Sequence, residues 1–188
     1  MEKSPKNYDV LIIGAGPAGA NAAISYKNLN PNLTVGLVDK AIFPRDKSCG
    51  DAIGPGVISA LKRFNNEHIL DGEPQVVSTT LYGPDNIGIQ NYIPEVKNKE
   101  DSIVYVIPRV DLDNRILDLA KECGVDVYEG YSFVDFTSNL DKSLNVQIKN
   151  ENENLEFLTK ILVGADGANS RIRKKLNYKS NSDWHKAI

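Results

Sequence analysis

The chain has 188 residues, 41% apolar, 25% charged and 7% aromatic, which supplies one hydrophobic core and excludes disordered, collagen-like and other low-complexity classes. Its 22 basic and 25 acidic side chains leave a net charge of -3, against a dedicated nucleic-acid binder, whose phosphate contacts need clustered Lys and Arg. No apolar run approaches the roughly 20 residues that cross a bilayer, and two cysteines, Cys49 and Cys123, make neither a disulfide framework nor a metal site, so we expect no metal and a cytoplasmic location.

The apolar run from Tyr8 to Ile13 lacks alternation, as expected of a parallel strand buried on both faces. A glycine-rich turn, a small-residue helix from Pro17 to Asn28 and a β-branched run from Leu33 to Val38 complete a strand-turn-helix-strand unit. Residues 39 to 56 read as a polar loop with no element of its own, and ordered loops of such length tend to be functional. Gly54-Pro55-Gly56 opens a short helix that presents Val57, Leu61 and Phe64 on one face. Three β-rich pieces follow (Val76 to Tyr82, Ile87 to Ile93, Ile103 to Ile107), broken by turn residues and by the solvated charged tract Glu95 to Asp101, and they form an antiparallel excursion. Leu112, Ile116, Leu119, Ala120 and Cys123 recur at helical spacing, and Gly124 stops that helix before a strand at Val125 to Tyr128. A hairpin turns at Asn139 to Ser143, and a strand from Leu155 to Val163 enters Gly164-Ala165-Asp166-Gly167 and a basic helix, Asn169 to Leu176. His68, His185 and Trp184 carry no spacing that points to chemistry.

Gly14, Gly16 and Gly19 form G-x-G-x-x-G between the first strand and helix. The first glycine permits a tight turn, the second leaves room for a pyrophosphate, and the third lets the helix pack closely on the sheet. Pro17 and Ala18 open the helix, whose free N–H groups and positive dipole end suit an anion. Asp39 ends the second strand about 20 residues after Gly19, where a carboxylate meets the ribose hydroxyls of an adenosine. Its charge favours FAD or NAD over NADP, while Lys40 beside it keeps NADP open.

Far along the chain, Asp166, Gly167, Ser170 and Arg173 complete D-G-x-x-S-x-x-R after an apolar strand. With the N-terminal fingerprint, this pattern resembles the flavoprotein monooxygenase superfamily. The resemblance implies that Asp166 lies near the FAD pyrophosphate and ribityl chain, with Gly167 letting the cofactor lie close; on physical grounds alone Asp166 could instead cap the last helix. Arg109-Val110-Asp111-Leu112-Asp113 is similar to the family stretch whose arginine contacts the flavin nucleotide, with Asp113 capping or bracing the helix. Phe133 matches a place where the family's main chain meets adenine.

Phe43-Pro44-Arg45-Asp46-Lys47-Ser48-Cys49-Gly50-Asp51-Ala52 resembles the Cys-Gly-acid stretch of the geranylgeranyl reductase group within that superfamily. The resemblance implies that Cys49, Gly50 and Ala52 border the flavin, with Arg45 and Lys47 nearby. Cys49 is then the one candidate for a catalytic or tuning role, against a reading as a small half-buried hydrophobe. The implied fold is α/β: a Rossmann-like FAD/NAD(P)-binding domain over residues 1–188, with a parallel sheet and a β excursion over residues 75–107 directed at a second, substrate-binding domain. Because the superfamily continues for about as much chain again, the sequence is expected to be a truncated product or fragment, inactive in turnover by itself. The implied activity is reduction of isoprenoid C=C bonds by hydride from reduced FAD, with NAD(P)H as a candidate electron donor and at most peripheral membrane contact. A flavin monooxygenase or halogenase, and a nucleotide-binding module without turnover, stay open as alternatives.

Overall fold

In the computed structural model, which describes residues 5–92 and 104–177, β1 (Lys6–Ile13) carries the first apolar run into the middle of a six-stranded sheet. Helix α1 (Pro17–Leu29) buries Gly19, Ala20, Ala23 and Ile24, and the small side chains permit close packing on the sheet. β2 (Val35–Asp39) returns parallel to β1, pairing Val10 with Val35 and Ile13 with Val38. The chain divides into two compact units, residues 1–46 with 113–188, and residues 47–112.

The first unit is completed by most of α3 (Arg109–Glu122), β7 (Asp126–Glu129), β8 (Ser132–Ser138), β9 (Leu144–Lys149), β10 (Asn154–Gly164) and α4 (Arg171–Lys175). The sheet order is β7-β2-β1-β10-β9-β8. The first four strands are mutually parallel, and β9 and β8 add an antiparallel edge. The sheet is therefore mixed, mostly parallel where the glycine turn sits. Leu11, Ile12, Leu37 and Val38 are fully buried at its centre. The Tyr8 hydroxyl donates to Asp126 Oδ2 at 3.1 Å and hydrogen-bonds with the Tyr128 hydroxyl at 2.7 Å, tying β1 to β7, and burial pushes the Tyr8 pKa up.

The second unit holds β3 (Ala52–Ile53), α2 (Pro55–Lys62), a 3-10 turn at Glu67–Leu70, β4 (Ser78–Tyr82), β5 (Gly88–Tyr92) and β6 (Tyr105–Val106). β3 pairs antiparallel with β6, and β4 with β5, which is the expected antiparallel excursion. Two expectations are corrected. The loop from 39 to 56 does contain an element, β3, too short to show any periodicity, and the buried face of α2 is Ile58 and Leu61, with Val57 exposed. The charged tract Glu95 to Asp101, the strand ends at Ile93 and Ile103, and Trp184 and His185 lie outside the described residues.

Candidate functional site

In the first unit, three segments meet where parallel strands end, the place open α/β sheets use for ligands. The Gly14 N–H donates to the Val38 carbonyl at 2.7 Å and the Ala165 N–H to the Ile13 carbonyl at 2.8 Å, so the ends of β1, β2 and β10 are locked together. Gly14 takes φ +104, and a Cβ there would overlap the Ala165 carbonyl oxygen and sit 2.9 Å from the Asp166 nitrogen. At Gly19 a Cβ would overlap the Gly14 carbonyl oxygen. These two glycines are needed for packing. Gly16 is different: it has ordinary extended geometry (φ -65, ψ 179), and a Cβ there would meet only the Arg45 Nη2, at 3.2 Å. Gly16 is also the N-cap of α1, with no side-chain cap and no acidic residue in the first turn, which leaves the helix N-terminus to an incoming anion.

Asp39 buttresses this turn, its Oδ2 accepting from the Ala15 N–H at 2.7 Å and its Oδ1 from the Ala41 N–H at 2.8 Å. A carboxylate has about four acceptor sites, so these bonds leave capacity for a ribose hydroxyl. Lys40 is exposed beside it. The backbone next to Asp39 belongs to Gly130 and Tyr131, which donate to the Ala41 and Asp39 carbonyls at 3.1 and 2.9 Å. Phe133 lies further on in β8, its ring buried and its carbonyl accepting from Arg171 Nη1 at 2.9 Å.

Arg45 reaches the same turn. Its guanidinium lies over the Phe43 ring, 4.8 Å from the centroid, and its Nη1 is 3.4 Å from Asp113 Oδ2. Nη1 is buried and donates no hydrogen bond among the described residues, even at that ion-pair distance. Asp113 is 1% exposed, so it braces the structure through Arg45 and stands in the second turn of α3 rather than at its cap.

Asp166 supports the start of α4 but is not its N-cap, which corrects the capping alternative. Its Oδ2 accepts from the Arg171 N–H at 2.7 Å at the start of α4, although the N-cap itself is Ser170, whose hydroxyl accepts from the Arg173 N–H at 3.0 Å. Its Oδ1 is buried without a hydrogen-bond partner among the described residues. Gly167 takes φ +80 with nothing within 4 Å of where a Cβ would stand, so the backbone there is open to close approach.

The second unit gathers the rest of the candidates. Cys49 is exposed, which corrects the half-buried reading. The Asp51 N–H and the Arg109 guanidinium hold its thiol pKa below the ordinary value, because both stabilise the thiolate. Asp51, at φ 56, accepts from the Arg109 N–H at Oδ1 (3.3 Å) and from the Ile107 N–H at its carbonyl (3.0 Å). Gly50 has open space around it, and Ala52 is exposed in β3. Sequence reasoning thus missed Asp51 as the link between Cys49 and Arg109, and Asp113 as the partner of Arg45. The one available signal was a carboxylate inside the apolar stripe of α3, beside Leu112 and facing the same way as Ile116 and Leu117.

The cradle fits a dinucleotide on this structure's own terms: an extended Gly16 with the Arg45 Nη2 beside it, and a buried carboxylate oxygen at Asp166 that accepts no hydrogen bond among the described residues. A family described as FAD binding domain matches residues 7–186. The chain belongs to that family. This FAD-binding domain is 29% identical over 178 residues to a menaquinone reductase of Mycolicibacterium smegmatis, covering 95% of the chain and 41% of the relative. It is 25% identical over 176 residues to a digeranylgeranylglycerophospholipid reductase of Picrophilus torridus, covering 93% and 43%. It spans about two fifths of the length of these relatives. Among solved structures it is similar in fold to p-nitrophenol 4-monooxygenase from Pseudomonas putida (TM-score 0.80, 14% identity, 92% of this chain and 44% of that one). A geranylgeranyl bacteriochlorophyll reductase-like protein from Thermoplasma acidophilum has the same fold (TM-score 0.71, 23% identity, 87% and 40%).

Proposed function

We propose that the FAD-binding domain serves a cytoplasmic reductase that saturates C=C bonds of isoprenoid lipids, drawing electrons from NAD(P)H. The observation that carries the cofactor part is the Gly14–Gly19 turn held between Asp39 and residues 165–167, with Arg45 facing Gly16. The substrate class rests on the Cys49-Gly50-Asp51 stretch and on the lipid-reducing relatives. When bound, the flavin supplies hydride transfer to an alkene carbon, and a proton from an acid or water completes the reduction.

The chain's own residues bind and orient. Asp39 would accept ribose hydroxyls, the α1 N-terminus and Arg45 would neutralise the pyrophosphate, and Asp166 Oδ1 would take a cofactor hydroxyl. In the second unit, Arg109 and Asp51 hold Cys49 in its turn, where a thiol with lowered pKa is suited to hydrogen bonding and proton exchange. The test has two parts: the visible spectrum of the purified chain after FAD is added and dialysed away, and anaerobic incubation of geranylgeranyl diphosphate with a photoreduced version extended to the length of its relatives. A retained flavin spectrum, lost in Asp39→Ala, is expected to support the cofactor assignment. A mass gain of one H2 per double bond would support the substrate class, and no gain there together with hydroxylation of an added phenol in a parallel aerobic incubation would replace it with the monooxygenase reading.

A further inference from the structure

Arg45 reaches Gly16 from the polar loop after β2, and two groups fix its guanidinium there: the Phe43 ring beneath it at 4.8 Å and the Asp113 carboxylate 3.4 Å from Nη1. Asp113 is buried to 1% exposure on α3, so its charge has been removed from water and is compensated by Arg45. The pairing leaves Nη2 as the nitrogen beside Gly16, 3.2 Å from the place a Cβ would occupy. The room beside the second glycine therefore has a preset cation on its wall.

We infer that Asp113 is a positioning residue for the dinucleotide, holding Arg45 so that its guanidinium meets the diphosphate over Gly16. The inference rests on the proposed reading of this turn as the cofactor cradle and names a residue of α3 that acts on the cofactor only through another side chain. Two opposing effects follow from removing the Asp113 charge. Arg45 would gain net positive charge toward a phosphate, but it would lose its reason to keep Nη1 buried and would turn out toward water, where its attraction for phosphate is weak and screened. Orientation is the larger effect, because a planar fork binds phosphate oxygens well only when held in register. Asp113 should therefore strengthen phosphate binding despite its negative charge.

The experiment titrates the full chain with FAD, ADP and adenosine by calorimetry, in wild type, Asp113→Asn, Arg45→Met and the double variant, with circular dichroism on each. Asp113→Asn is expected to weaken FAD and ADP by about tenfold or more, the scale of one charge-assisted hydrogen bond, and to leave adenosine unchanged. In the Arg45→Met background the same change should have no further effect on either phosphate ligand. Tighter FAD binding in Asp113→Asn, an equal loss for adenosine, or an undiminished loss without Arg45 would overturn the inference. If wild-type chain with native circular dichroism binds neither FAD nor ADP, the cradle reading itself fails, an outcome separate from a wild type that binds and an Asp113→Asn that binds equally well. Should Asp113→Asn unfold, the wild-type Arg45 Nε–Hε resonance, identified by its loss in Arg45→Lys, provides the reading. A sharp signal in the free chain that shifts with ADP and not adenosine is expected, and one averaged like a free side chain before ADP is added would overturn the inference.

Discussion

Alanine placed at Gly16 and at Gly19 should separate binding from folding within one turn. At Gly19 the new Cβ would overlap the Gly14 carbonyl oxygen, lie 3.0 Å from its carbon and 3.2 Å from the Ala165 Cβ, with the Gly14 backbone on one side and on the other a methyl group that has no rotamer to escape into. Overpacking of this kind costs about 1–3 kcal/mol, and a backbone clash belongs at the upper end. For a chain of this length about 3 kcal/mol is a fall of roughly 6–12 °C in the unfolding midpoint. At Gly16 the backbone already suits an L-residue, the single close atom is the far end of Arg45, and the unfolded chain loses freedom, which favours alanine by about 0.4–1 kcal/mol. Gly16→Ala should thus unfold within a few degrees of wild type. Its methyl group, however, fills the approach to the helix N-terminus, and a displaced diphosphate that forfeits one charge-assisted hydrogen bond loses about 1.5–3 kcal/mol, roughly 10- to 100-fold in affinity. The assays are thermal unfolding by circular dichroism and FAD titration by flavin fluorescence on the same preparations. A Gly16→Ala as unstable as Gly19→Ala, or a Gly19→Ala with wild-type stability, would refute the division of labour read from the turn.

Other outcomes follow from the same geometry. The Lys160 ammonium, 2.7 Å from Asp9 Oδ1, and the Thr34 N–H and hydroxyl, each 2.9 Å from Oδ2, lower the Asp9 pKa from 3.8 to about 2. A lowered folded-state pKa gives stability that is complete above the unfolded value and lost as pH falls through the folded one, so Asp9→Asn should flatten the urea midpoint against pH between about 4 and 2. Cys49 should react with an aromatic disulfide reagent at lower pH than Cys123, whose thiol burial pushes up, and Arg109→Gln should slow Cys49 without changing Cys123. Leu81 and Ile89 pair directly across β4 and β5 at 67% and 64% exposure, so replacing both with serine should reduce binding of a hydrophobic dye and leave the unfolding free energy within about 1 kcal/mol of wild type.

The local elements were legible because their signals are local. An unbroken apolar run, three glycines at fixed spacing and a carboxylate at the next strand end define β1, the turn, α1 and β2 without reference to the rest of the chain. The buried stripe of α3 and its Gly124 stop were equally readable, since helical period and a φ of +80 are properties of neighbouring residues. Val57 misled because a helix this short offers two faces of similar apolarity, and which one is covered depends on what packs beside it.

By itself, then, the sequence determined the α/β class, the strand-turn-helix-strand core and the two motifs that a dinucleotide-binding turn requires. Tertiary structure alone decided that β10 lies beside β1, bringing Ala165 and Asp166 against Gly14, and that Arg45 and Asp113 share one buried contact facing Gly16. It also decided that Asp166 turns one oxygen to α4 and leaves the other unpaired among the described residues, and that Cys49 is exposed beside Asp51 and Arg109. The physical reason is that periodicity and turn chemistry are fixed by residues a few positions apart, whereas a charge pair is chosen by which distant segments the core brings together and by the cost of leaving either partner buried alone.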